Sequence, residues 1–186
     1  TPSSSIVVSS WARTWPVATR SPSATSMRAS VPDTCGARVA AAGAALYERH
    51  SWDQRADLTT MAAHDAAASM WETTGLTPAD VDFATLYDGF SYLCTQWIEA
   101  FGFTEHGKVG PFLDDEENYR LDGRLPINPH GGQLSAGRLH GYGFVHEACA
   151  QLWRQAGERQ IAKDVSLAAV GVGGGPEAGC MLLQLA

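Results

Sequence analysis

Long apolar runs are missing from this chain: none approaches the roughly 18–20 residues that a helix needs to cross a bilayer. A basic stretch leading into an apolar core is missing near Thr1, so no signal peptide is expected. The four cysteines, Cys35, Cys94, Cys149 and Cys180, form no Cys-x-x-Cys pair. That spacing speaks against a zinc site or a disulfide framework, and a reducing cytoplasm is the expected compartment. Positive charge is scarce, with 13 Lys and Arg against 20 Asp and Glu and a formal net charge of −7. Nucleic acid and anionic membranes want a basic surface, so neither is an expected partner. One phosphate group still needs only a few local Arg or Lys residues. No dinucleotide fingerprint occurs in a strand–turn–helix setting, and no internal repeat is seen.

What is present is the composition of a folded protein: 45% hydrophobic and 18% charged residues. Ile6-Val7-Val8 reads as a short strand. Residues 10–38 are rich in Ser, Thr, Arg and Pro and show neither helical nor strand periodicity, as a surface loop or an altered or truncated sequence would. The expected division is therefore an irregular N-terminal segment, 1–57, followed by a domain over 58–186. Thr60 can cap a helix from Met61 to about Thr74, whose small residues (Ala62, Ala63, Ala66, Ala67, Ala68) suit close packing on a sheet. Thr77 and Pro78 form a second helix start. Val81–Leu86 reads as a strand. Phe90, Leu93, Trp97 and Phe101 share one face of a helix that Gly102 stops.

Residues 104–124 read as an acidic loop in which Asp114, Asp115, Glu116 and Glu117 form a solvated face, since adjacent loop residues rarely converge on a metal. A helix follows from about Gly141 to Ala156. Two apolar strands, Val165–Val172 and Ala178–Leu185, are joined by Gly173-Gly174-Gly175-Pro176-Glu177. This order implies an α/β domain, a layered sheet covered by helices.

Chemistry concentrates in one stretch, Asn128-Pro129-His130-Gly131-Gly132-Gln133-Leu134-Ser135-Ala136-Gly137-Arg138-Leu139-His140-Gly141-Tyr142-Gly143. Gly131, Gly132, Gly137, Gly141 and Gly143, with Gly123 upstream, let a backbone approach a ligand closely. N–H groups at such a loop–helix junction can hold an anion or a developing oxyanion. Asn128, His130, Arg138, His140 and Tyr142 stand among the glycines, where a structural turn with scattered polar residues is the alternative. His146-Glu147 lacks the second His of a zinc helix motif, which leaves Glu147 a structural role. Cys94 and Cys149 read as small buried apolar residues.

That stretch resembles the glycine-rich signature of thiolases, with Asn128, Gly131, Gly132, Gly137 and Gly141 in register. Leu86-Tyr87-Asp88-Gly89-Phe90 resembles their Asn-Glu-Ala-Phe element, and Val172-Gly173-Gly174-Gly175 their terminal glycine loop. The resemblance covers residues 58–186 and implies the C-terminal half of a thiolase-like layered α-β-α fold, a mixed sheet covered by helices. It is similar in wording to the lipid-transfer and sterol-carrier branch, which includes steroid side-chain aldolases. Two departures stand out. Arg138 occupies the place of the thiolase His, and Gly171 lies near that of the thiolase general acid/base Cys. The nucleophilic Cys belongs to an N-terminal half that this chain does not contain, and a start at Thr1 fits a fragment.

By that resemblance, Tyr92 and Tyr142 match the tyrosine pair that donates and accepts protons in the aldolases, with His140 or His130 as further proton carriers. Asn128, His130, Gly131, Gly132, Arg138 and Gly174 would line the substrate. An Arg cannot act as a base at neutral pH, but it can pair with an anion or steady an enolate oxygen. The implied reaction is retro-aldol cleavage of a β-hydroxyacyl-CoA bearing a steroid or bulky lipid. The alternatives are a sterol-carrier-type β-ketoacyl-CoA thiolase and a non-catalytic scaffold. No cofactor or metal is expected beyond coenzyme A as part of the substrate. The implied partners are the acyl-CoA, a second copy in a homodimer, and a small OB-fold/zinc-ribbon protein. A half-subunit is expected to leave an apolar sheet face open. The 186-residue chain alone should therefore be poorly soluble and inactive; a stable monomer by light scattering would contradict this.

Overall fold

The computed structural model describes residues 36–46 and 55–186. The expected strand at Ile6–Val8, most of segment 10–38 and Cys35 lie outside the described residues. The described residues fall within the larger of two compact units, Val31–Ala186.

Four strands form one mixed sheet in the order β1-β4-β3-β2, comprising β1 (Ala37–Leu46), β2 (Phe83–Leu86), β3 (Leu167–Gly173) and β4 (Glu177–Leu185). β1 runs antiparallel to β4 and β4 antiparallel to β3, whereas β2 runs parallel to β3. The helices are α1 (Ala62–Trp71), α2 (Ser91–Ala100), α3 (Val109–Asp114), α4 (Gly132–Ala136) and α5 (Tyr142–Leu152).

Strand alternation divides the apolar residues between two cores. Ala84 and Leu86 of β2, Ala169 of β3, and Cys180 and Leu182 of β4 face α1 and α2, among Ala62, Ala63, Ala66, Ala67, Met70, Trp97 and Phe101. Their neighbours Phe83, Ala168, Val170 and Leu183 face the other way, onto Phe144, Ala148 and Leu152 of α5. Helices thus cover both faces, which makes the layered α-β-α arrangement expected from the sequence. Some apolar surface is left open among the described residues. It includes Phe90, Tyr92, Leu134, Leu139 and Tyr142 on the glycine-rich side, and Val39 and Leu46 on β1.

β1 begins within the segment read as irregular and pairs with β4 from Ala37 to Leu46, so the sheet extends N-terminal to residue 58. Its sequence, ARVAAAGAAL, has almost no β-branched residues; pairing and packing, rather than propensity, make it a strand. Several other boundaries shift. The N-cap of α1 is Met61, not Thr60, and its backbone N–H donates to His64 Nδ1 at 3.2 Å. Ala68 is exposed, as is Phe90, which precedes α2 rather than joining its buried stripe. The Thr77 start yields only the single 3-10 turn Pro78–Asp80, closed by Asp80 Oδ2 accepting from Thr77 N and Oγ1. Part of the acidic stretch is helical (α3), and its charges face cations: Asp115 pairs with Arg124 and Glu116 with Arg120.

α1 can sit close to β1 because Gly43 has no side chain: a Cβ there would lie 2.1 Å from the Ala66 carbonyl oxygen and 2.8 Å from Met70 N. Backbone cannot retreat as a side-chain tip can. Gly43→Ala should therefore cost about 1–3 kcal/mol, the range for overpacking, read as a lowered urea midpoint with an unchanged m-value.

Candidate active site

The parallel pair β2 and β3 ends on one side of the sheet, the position where open α/β sheets present ligand sites. From the end of β2 the chain enters Tyr87-Asp88-Gly89-Phe90 and then α2. From the end of β3 it enters Gly173–Gly175. The glycine-rich bend reaches the same place from outside, held by specific bonds.

Asn128 makes the first of these. Its Oδ1 accepts from Leu86 N at 2.7 Å and its Nδ2 donates to Leu86 O at 2.9 Å, while its own N–H donates to Ala84 O at 2.9 Å. The side chain thus extends the edge of β2 like another strand residue. It carries φ of 50°, a conformation that Asn tolerates better than most residues. Substrate binding was the expectation for Asn128; the structure commits both ends of its amide to Leu86.

Asp88 makes the second. This carboxylate is buried, with Oδ1 accepting from Gln133 N at 2.7 Å and Oδ2 facing Leu134 N at 3.5 Å. Orphan N–H groups at the start of α4 are thereby satisfied within the protein. A Cβ on Gly132 would sit 2.0 Å from Asp88 Oδ2, and its φ is +66°. Gly132 therefore makes room for Asp88, and the N–H groups that the sequence suggested for a bound anion already meet this carboxylate. Gly131 has φ +85°, and a Cβ on it would meet Ser135. Further along, a Cβ on Gly141 would lie 2.4 Å from Val172 Cγ1, which fixes the start of α5 against the end of β3.

The side chains carried by this frame differ in exposure. Tyr142, at the first residue of α5, is 78% exposed, and Tyr92, in the first turn of α2, is 49% exposed. Neither is a core aromatic. Arg138 and His140 are exposed. His140 has φ of 47°, an uncommon backbone state of the kind that collects at functional sites. His130 is different: half-buried, edge-on to Phe144 at 5.4 Å, and with Nδ1 buried and unpartnered among the described residues. Burial holds its pKa below the ordinary value, against the pull of Glu147 and Asp88, which favours the neutral imidazole. Gly174 is buried against Trp97, and a Cβ there would lie 3.3 Å from the indole Nε1.

Trp97 packs against the end of β3. Its indole lies flat against Gly171, where a Cβ would meet Cδ2 at 2.7 Å, and its Nε1–H donates to Gly173 O at 2.9 Å. The space over Gly171, the residue that the thiolase resemblance sets near the second cysteine, is thus filled by an aromatic ring that also ties down the glycine loop. Among the described cysteines, burial pushes Cys94 and Cys180 up to about 12 and raises Cys149, which disfavours their thiolates.

The profile of the thiolase C-terminal domain-like family matches residues 43–183. The chain belongs to that family. It is 42% identical over 83 residues to the 17-hydroxy-3-oxo-4-pregnene-20-carboxyl-CoA lyase of Mycobacterium tuberculosis, a match taking in 45% of this chain and 21% of the lyase. It is 33% identical over 111 residues to the acetyl-CoA acetyltransferase of Methanothermobacter thermautotrophicus, covering 58% of this chain and 29% of that enzyme. Among solved structures, the Ltp2-ChsH2(DUF35) aldolase superposes with a TM-score of 0.69 at 30% identity, covering 77% of this chain and 38% of that one. The chain thus matches well under half the length of these relatives.

Neither Asp88 nor Trp97 was among the site residues expected from the sequence. The first was visible as the counterpart of the Glu in the Asn-Glu-Ala-Phe element. The contact of Trp97 with Gly171 spans 74 positions and left no local signal. Reinstating the thiol tests this packing. Gly171→Cys should lower stability by about 1–3 kcal/mol through collision with the indole, and the double change with Trp97→Leu should recover part of that loss, both read by thermal unfolding.

Proposed function

We propose that this chain supplies the C-terminal half of a thiolase-fold carbon–carbon lyase that performs retro-aldol cleavage on the acyl-CoA of a steroid or bulky lipid. The observation that carries the proposal is the pairing of a blocked thiol position with an open phenol. Trp97 covers Gly171, while Tyr142 stands exposed at the head of α5 within the glycine-rich bend. Similarity to a steroid-CoA lyase and to an aldolase structure supports the same reading.

In the proposed step a base takes the proton of the β-hydroxyl group. The bond between the hydroxyl-bearing carbon and the α-carbon then breaks, leaving a ketone and a thioester enolate. An acid returns a proton to the α-carbon and completes the short acyl-CoA. Tyr92 and Tyr142 are proposed as the proton carriers. A phenol titrates near pKa 10, so one of them must be activated as a base; His140 and Arg138, which precede Tyr142 on the same bend, are the proposed sources of that activation. Arg138 can also pair with the enolate oxygen or a coenzyme A phosphate. His130, Gly131 and Gly174 are proposed to shape the acyl site, with Asn128, Gly132 and Asp88 positioning the bend. No covalent nucleophile is required, so the absence of the thiolase cysteine and histidine from these positions is consistent with the chemistry.

A homodimer, and a small OB-fold/zinc-ribbon protein as second partner, are proposed with it. Support for a second chain comes from the structural neighbour, which is an Ltp2-ChsH2(DUF35) assembly. The competing reading is thiolysis of a β-ketoacyl-CoA, which the acetyltransferase relative keeps in play.

The test is a chimera in which residues 58–186 replace the matching region of the M. tuberculosis lyase, assayed with its binding partners present. It should release a ketone and a short acyl-CoA from a β-hydroxyacyl-CoA without free coenzyme A. Tyr142→Phe should lower kcat by about 100- to 10,000-fold, the usual share of a general acid or base. Cleavage of a β-ketoacyl-CoA only when free coenzyme A is added would establish the thiolase reading instead, and full lyase activity in both Tyr92→Phe and Tyr142→Phe would remove the tyrosine mechanism.

A further inference from the structure

Away from the glycine-rich bend, three residues from separate segments come together: His64 in the first turn of α1, Glu99 in the last turn of α2, and His106 in the connection to α3. Each offers a ligand atom, and those atoms lie within 4.8 Å of one another. We propose that His64, Glu99 and His106 bind a divalent transition-metal ion, with zinc as the best fit.

The donor chemistry is the first argument. Two imidazoles and one carboxylate form a ligand set common for zinc, with a fourth position left to water. Oxygen-preferring ions such as magnesium and calcium would not select two imidazoles.

The state of the three groups is the second. Glu99 places its carboxylate in the interior, with a side chain only 3% exposed, where a charge needs a cation. The neighbouring imidazole of His106, 51% exposed, sets Nδ1 at 3.2 Å from Glu99 Oε2. His64 Nε2 is buried and has no hydrogen-bond partner among the described residues. An unsatisfied buried nitrogen next to a buried carboxylate is costly without a further group between them.

The third argument is the surrounding shell, since metal ligands are oriented by hydrogen bonds on their far atoms. Glu99 Oε1 accepts from Val109 N at 3.0 Å, which leaves Oε2 for the ion. His106 Nε2 lies 3.1 Å from Thr59 Oγ1, whose hydroxyl donates to Asp57 Oδ1 at 2.6 Å. That chain makes Nε2 the protonated nitrogen and leaves Nδ1 free to ligate. His64 Nδ1 accepts from Met61 N at 3.2 Å, so its hydrogen resides on Nε2. Ligation through Nε2 moves that hydrogen to Nδ1 and releases the Met61 N–H. This loosening of the α1 cap is the one local cost the geometry shows.

The site lies outside the proposed catalytic machinery but connects to it. The N–H groups of Ala62 and Ala63, beside His64, donate to Gly175 O at 3.0 Å and Gly174 O at 3.3 Å. Glu99 shares α2 with Tyr92. A bound ion would therefore brace the glycine loop against α2, as a structural rather than a catalytic metal.

The experiment uses the full 186-residue chain fused to a carrier protein without a polyhistidine tag, stripped with chelator and desalted. Zinc is titrated against a chromophoric competitor, and cobalt(II) is added separately as a spectroscopic probe. One equivalent of zinc should bind, and cobalt should give the intense visible bands of a tetrahedral site. His64→Ala and His106→Ala should each weaken zinc binding by at least about 10–100-fold, the loss that even an outer-shell change causes. His106 is half exposed, so its variant should fold, and circular dichroism checks this; Thr59→Val should give a smaller loss with the fold intact. Zinc binding that is equal in the parent and both His variants, or no binding at all, overturns the proposal. Because the readout is affinity rather than turnover, its failure is distinct from failure of the lyase reading.

Discussion

A buried carboxylate at the end of β2 organises this structure. Asp88 sits where a strand stops and accepts backbone N–H groups from the first turn of α4. A charge in that position is expensive unless it is met by donors, and donors at a helix start are expensive unless they are met by an acceptor. Each resolves the other, so the glycine-rich bend has one well-defined place to sit. Asn128 adds a second attachment by bonding to both backbone groups of Leu86. The two contacts lie at Leu86, the last residue of β2, and at Asp88 just beyond it, and their partners lie before and after Gly131-Gly132.

With the bend fixed, the remaining glycines describe how closely its neighbours approach. Gly141 presses on Val172 and Gly171 on Trp97, both along β3. The indole carries two functions, filling the space over Gly171 and holding the Gly173 carbonyl. A side chain at Gly171 would collide with the same ring that supports the loop. The exposed phenols, by contrast, have no packing obligation. Tyr92 and Tyr142 each sit on the first turn of a helix whose later residues are buried, so the backbone beneath them is rigid while the side chain is open to a ligand.

The His64–Glu99–His106 cluster shows the same economy at the other end of α2. Glu99 is buried at the end of a helix that carries Tyr92 in its first turn, and α1 donates its first N–H groups to the glycine loop. Order at that cluster is transmitted to the loop through backbone hydrogen bonds over only a few residues.

Local sequence determined the parts with strong local causes. Alternating and continuous apolar runs marked β2, β3 and β4; the alanines of α1 marked a close-packing helix; and the glycine-rich stretch marked the bend and its likeness to thiolases. Tertiary structure decided what depends on distant partners. β1 is an alanine-rich strand only because β4 pairs with it. Asn128 and Gly132 look like ligand contacts in a line of letters, yet they serve Leu86 and Asp88, which lie more than 40 positions away. The metal-binding trio was invisible because its members span separate segments with no fixed spacing. A pattern of residues records preferences over a few positions, whereas a buried polar group takes its meaning from whichever partner the fold brings to it.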